Sequence, residues 1–142
     1  MDIGKLVKVL IRKHDTNNPF EICSSKGIEI YYVPLGSLNG FYTENFRIKT
    51  IYINEQLKDR QRKIVCSHEL GHIMLRHKAN KLFLSNNTFF VTNRYEIQAD
   101  KFAAELLISN ELLEELKYYT IDQMALALDL PVALVKLRLG LG

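Results

Sequence analysis

The stretch that most constrains this chain is His68-Glu69-Leu70-Gly71-His72, an H-E-x-x-H run within a segment that reads as helix on independent grounds. Asn54 is a suitable cap for that segment, and Leu57, Ile64, Val65, Leu70, Ile73 and Met74 could face a core over the span to about Arg76. Four residues advance an α-helix by slightly more than one turn, so the two imidazoles stack on one face about 6 Å apart along the axis. They can meet on one ion off the helix surface, and zinc accepts imidazole nitrogen at about 2.0 to 2.1 Å. Glu69 projects toward the flank of that point. It lies too far round the helix to be the obvious ligand but can hold a water beside the ion, which is the general-base role.

Two histidines leave the ion short of a third protein ligand. A histidine six residues after His72 would give the metzincin pattern, but position 78 is Lys and the required glycine position holds Leu75. His77 falls roughly 140° round the helix from His72 and is expected to face solvent or mark the helix end. A glutamate from a second helix is the alternative, and Glu96 suits it. Its i,i+4 spacing with Asp100 puts both carboxylates on one face, so that Glu96 can ligate while Asp100 accepts the N–H on the far side of a ligand imidazole and fixes its tautomer. On spacing alone, Glu96 reads equally well as a capping residue and Asp100 as a surface carboxylate. Ala99, Phe102, Ala103 and Ala104 fit a second helix packed closely on the first.

The remaining sequence supplies a scaffold. Asp2 caps a first amphipathic helix carrying Ile3, Leu6, Val7, Leu10 and Ile11, with Asn17-Asn18 as its stop. Asn18-Pro19 opens a short helix that Gly27 terminates. The period then changes to two in the runs Ile28 to Val33, Gly40 to Thr43 and Arg47 to Ile53, which suggests a small antiparallel sheet. Residues 78–93 read as a loop holding a short strand at Thr88 to Thr92, and Asn93 with Glu96 resembles a capping box for the second motif helix. Ser109, Thr120 with Gln123, and Pro131 open three further helices, the last over Val132 to Leu139. With strands ahead of most helices, the fold class is α+β: a helical majority with a small sheet in a single domain over 1–142, of which 109–142 is a C-terminal helical tail.

Composition sets the context. A chain of 142 residues buries enough surface to fold without a structural metal, so a metal here is expected to do chemistry. Cys23 and Cys66 are too few for a disulfide scaffold, no apolar run approaches the ~20 residues of a membrane span, and the N-terminus lacks a clean signal-peptide core. A cytoplasmic protein is expected. The 19 Lys+Arg against 16 Asp+Glu give +3, too mild to imply nucleic acid. The last two helices have helix-turn-helix length and a basic edge in Lys136 and Arg138, but their leucines at 126, 128, 130, 134, 137, 139 and 141 read as apolar surface seeking a core or a partner. Direct DNA binding is disfavoured, and a protein partner is expected.

Together HELGHIMLRH at 68–77 and EIQADKFAAELLIS at 96–109 resemble the ImmA/IrrE zinc metallopeptidases, with similarity extending upstream to the IYIN run at 51–54. The resemblance implies a zincin-like domain binding one catalytic Zn2+ through His68, His72 and Glu96, with Glu69 as catalytic base and Asp100 behind a ligand imidazole. It also implies a role. Family members carried by phages and mobile elements act as anti-repressors that cleave, or act through, a helix-turn-helix repressor, so the expected activity is a narrow-specificity endopeptidase. A zinc-containing module that controls a regulator by binding alone is the alternative. Cys66, Ser67 and the run LLIS depart from the commoner family residues without touching a proposed ligand, and Mn, Fe or Co could occupy the same donors.

Overall fold

Local capping accounts for the first elements. Asp2 Oδ1 accepts from the Lys5 N–H at 3.0 Å and starts α1 (Ile3–His14), while Asn18 caps α2 (Pro19–Ser25) by accepting from Phe20 and Glu21. The computed structural model describes residues 2–77 and 89–141. Three strands follow, β1 (Glu29–Val33), β2 (Gly40–Asn45) and β3 (Ile48–Asn54), and then α3 (Asp59–Met74), α4 (Phe89–Leu107), α5 (Asn110–Glu115), α6 (Ile121–Leu128) and α7 (Val132–Arg138).

The α+β class and helical majority are as expected; the sheet is mixed, where an antiparallel one was expected. Strand order is β1-β3-β2, with β2 and β3 paired antiparallel and β1 parallel to β3. The stretch 34–47, which contains β2, carries the chain across so that β3 inserts between the two earlier strands. A parallel pair needs such a crossover, and here a strand fills the place usually taken by a helix.

Asn54 is not the cap of α3. It ends β3, and its side-chain amide donates to the carbonyls of Gly36 and Leu38 at 2.9 Å each, closing the loop between β1 and β2. The first turn of α3 is instead held by Gln61, whose side chain accepts from the Lys58 N–H. A strand over Thr88 to Thr92 is likewise overturned for residues 89–92, which begin α4, so Glu96 lies two turns inside that helix and is no capping residue. Thr88 and the expected loop over 78–88 fall outside the described residues.

One face of α4 completes the larger core: Phe102 and Leu106 pack with Val7 and Leu10 of α1, Ile22 and Cys23 of α2, Ile51 and Ile53 of β3, and Leu70 of α3. Its other face, through Ala103, Ala104 and Leu107, joins Met124, Ala125, Leu134 and Val135 in a second core. Among the described residues no helix is long and apolar enough to cross a membrane.

Candidate metal centre

The site lies where α3 meets α4, and a glycine lets them meet. A Cβ on Gly71 would stand 3.0 to 3.1 Å from the Cβ and ring of Phe102, a residue with no exposed surface. Only a residue without a side chain brings the backbones this near, and the carboxylates of α4 come within reach of the α3 imidazoles as a result.

Three donor groups converge there. His68 Nε2 lies 2.9 Å from Glu96 Oε2, His72 Nε2 lies 2.9 Å from Glu96 Oε1, and the two imidazole nitrogens are 3.1 Å apart. Four ligands placed tetrahedrally at zinc bond lengths stand roughly 3.3 Å from one another, so the triangle is close to the size a cation would draw together. The rings stand edge to face at 84° with centroids 4.7 Å apart, which turns both Nε2 atoms to one point. Asp100 Oδ1 accepts from His68 Nδ1 at 2.7 Å, so Nε2 is the nitrogen turned to Glu96 and, once deprotonated, free for a metal. Glu69 is buried, with a carboxylate oxygen within 4.8 Å of a nitrogen on each imidazole. His68, Glu69, His72, Glu96 and Asp100 are thus all brought together.

Electrostatics agree with the geometry. Burial works against charge on His68, but its bonds to Asp100 and Glu96 and the charge of Glu69 prevail and push its pKa up to about 10. Burial would likewise raise the Glu96 carboxyl, yet hydrogen bonds from His68 and His72 hold it well below the usual carboxylate range. The cluster therefore favours positive charge at His68, a place a divalent cation can take once the proton leaves. Burial raises the Glu69 pKa, and the two imidazoles pull it back in part. Tyr42 of β2 stacks on His72 at 6.5 Å between ring centroids, and burial first, then Glu44 and Glu69, pushes its phenol up to about 12.

His77 marks the end of α3, one of the two expectations for it, and departs from the other. It does not face solvent: it is buried, its Nδ1 is 2.7 Å from His72 Nδ1, its Nε2 is 2.8 Å from Gln98 Oε1, and Tyr95 stacks on its ring at 4.3 Å. The reason is the way α3 ends. Arg76 takes a left-handed conformation with φ 61°, its N–H bonds to the Ile73 carbonyl, and the His77 N–H returns to the His72 carbonyl at 2.9 Å. This Schellman closure turns the chain back over the helix end. Its usual sequence signal, a glycine at the left-handed position, is missing here.

Comparison with known proteins bears on what the cluster is for. Residues 23–138 match the profile of the Peptidase_M78 family, described as the IrrE N-terminal-like domain. "Uncharacterized immunity region protein 2" of Bacillus phage phi105 is 37% identical over 141 residues, covering 96% of this chain and 88% of the relative. "Metallopeptidase ImmA" of Bacillus subtilis (strain 168) is 32% identical over 131 residues, covering 88% of this chain and 76% of the relative. Both motif helices lie inside the matched span, and a family of metallopeptidases implies a metal ion, which the paired imidazoles and adjoining carboxylate of this cluster are suited to hold. On its profile match and its relatives, the chain belongs to the ImmA/IrrE family of metallopeptidases.

Proposed function

We propose that this protein is a zinc-dependent endopeptidase of narrow specificity, acting in the cytoplasm on a helix-turn-helix transcriptional repressor. The observation that carries the reading is the convergence of His68 Nε2, His72 Nε2 and the Glu96 carboxylate within 3.1 Å of one another, with Glu69 beside them. In this reading His68, His72 and Glu96 hold one zinc ion, and Asp100 keeps the proton on His68 Nδ1. When bound, zinc supplies Lewis acidity toward water and the scissile carbonyl.

The Glu69 carboxylate takes the proton of the attacking water and passes it to the leaving amine. Burial raises its pKa above that of an ordinary carboxylate, which suits a group that must both accept and release a proton. Access for a peptide is on the α4 side, where the Glu96 and Asp100 side chains are 36% and 48% exposed while His72 is 9% exposed. A regulatory substrate is supported by the phage relative, which is named for an immunity region, and by the anti-repressor role that the motifs imply.

Glu69→Gln keeps the size of the side chain and removes the base. It should retain stoichiometric zinc and lose at least a hundredfold in cleavage of a candidate helix-turn-helix repressor, followed by gel and mass spectrometry. Undiminished cleavage by this variant would sink the peptidase reading. A regulatory effect that persists while cleavage is lost would make the protein a zinc-containing binding module instead.

A further inference from the structure

The buried His77 has no part in the chemistry above, yet both of its ring nitrogens are engaged. We propose that His77 is a positioning residue that fixes the tautomer of His72, and that Gln98 sets its direction, so that His72 presents a bare Nε2 to a divalent cation. The inference rests on the reading of His72 as a metal ligand.

Proton bookkeeping gives the direction. Gln98 Oε1 is an acceptor, so the 2.8 Å contact requires His77 Nε2 to carry its proton. A neutral imidazole with a proton on Nε2 has only a lone pair on Nδ1. The 2.7 Å contact between His77 Nδ1 and His72 Nδ1 then requires His72 to donate through Nδ1, so that when His72 is neutral, as a metal ligand must be, its lone pair is on Nε2. That nitrogen is the one 2.9 Å from Glu96 Oε1 and 3.1 Å from His68 Nε2. Reversing the relay would put a proton on His72 Nε2 and close it to a metal. His68 receives the same service from Asp100 directly, whereas His72 receives it through an intermediate ring.

The relay is built into both elements that make the site. Gln98 lies on α4 two residues after Glu96, so the helix that brings the carboxylate also brings the amide. His77 is held by its backbone: its N–H bonds to the His72 carbonyl, and its own carbonyl accepts from the Tyr42 hydroxyl. Stacking on Tyr95 at 4.3 Å sets the ring plane. Because these anchors do not need the ring nitrogens, the side chain can be exchanged while the turn stays in place.

The test uses the full chain stripped of metal, with zinc affinity measured by competition against a chromophoric chelator and the His72 tautomer read from ring 15N shifts. Wild type should show a proton on His72 Nδ1, and none on Nε2 once zinc is bound. His77→Phe keeps the stacking ring and removes the acceptor, and should weaken zinc binding about 10- to 100-fold. Gln98→Glu, which can only accept, should preserve the affinity, and His77→Gln, whose side-chain carbonyl can face His72 Nδ1, should restore part of it. A wild-type His72 without a proton on Nδ1, or full affinity in His77→Phe, overturns the relay. The tautomer measurement stands even if His77→Phe does not fold. His72→Ala separates the two readings: if it loses zinc while His77→Phe does not, only the relay falls, and if it binds zinc as wild type does, the ligand reading falls with it.

Discussion

His68 shows how one residue can be tied to opposite charges in two states of the same protein. Without metal, its folded pKa of about 10 lies above the ordinary 6.5, so the stability it contributes is fully present below about pH 6.5 and is lost as the pH rises toward 10. Glu96 runs the other way. Its depressed pKa contributes stability present above about pH 4.5 and lost as the pH falls through the folded value. The metal-free protein should therefore be most resistant to urea between about pH 4.5 and 6.5, and its midpoint should fall between about pH 6.5 and 9. Zinc needs the unprotonated nitrogen, so its affinity should rise over the same interval and the saturated protein should show no such fall. A metal-free midpoint that stays level from about pH 6 to 9 would mean that the proton on His68 is not held by Asp100 and Glu96.

Gly71 connects residue to element, since it controls how near α4 lies to α3. Replacing glycine by alanine within a helix ordinarily gains about 1 kcal/mol. Here the added methyl would meet Phe102 at 3.0 to 3.1 Å, and Phe102 sits in a filled core, so overpacking of about 1 to 3 kcal/mol offsets the gain. Gly71→Ala should thus cost up to about 2 kcal/mol while weakening zinc binding out of proportion, because the carboxylates of α4 are pushed from the imidazoles of α3. Denaturation and chelator competition on the same preparation give both numbers. Wild-type affinity in a folded Gly71→Ala would show that the helix spacing does not set the donor triangle.

How far these elements could be read beforehand depended on whether their signals were local. The caps at Asp2, Asn18, Ser109 and Thr120 act within three residues, and each forms as read. Spacing within α3 and within α4 likewise put the metal-side groups on shared faces. Asn54 misled because an amide that can cap a helix can equally close a loop, and the carbonyls of Gly36 and Leu38 lie far back in sequence. The Phe89-Phe90-Val91-Thr92 run has strand-like composition, but short apolar runs do not separate strand from buried helix, and the backbone there is helical. The parallel pairing of β1 with β3 and the return of His77 both depend on geometry at a distance or on a left-handed arginine that composition does not announce.

At the scale of the molecule, α4 is the wall on which everything leans: its one face closes the core behind the site, and its other carries the C-terminal helices. That arrangement settles the fate of the basic edge on α7. Lys136 is exposed, but Arg138 is turned inward, with Nε donating to the Ile108 carbonyl at 2.7 Å, a terminal nitrogen donating to Asn110 Oδ1 at 2.6 Å, and Glu105 Oε2 at 3.6 Å. Its side chain is 11% exposed and that of Glu105 16%, so the guanidinium locks α7 to α4 and to the start of α5 and is not turned out toward a phosphate backbone. The tail leucines follow suit: Leu134 is buried, Leu128, Leu130, Leu137 and Leu139 pack against the second core, and Leu126 and Leu141 are exposed. Arg138→Ala would strand a carbonyl and a largely buried carboxylate, and should cost about 2 to 3 kcal/mol in urea unfolding. Lys136→Ala, which touches none of these, should stay within about 0.5 kcal/mol of wild type. Because α4 carries both Glu105 and Glu96, the proposed third ligand, loosening α7 should also weaken zinc binding modestly, whereas equal stability of the two variants would mean that the tail does not brace the wall it packs on.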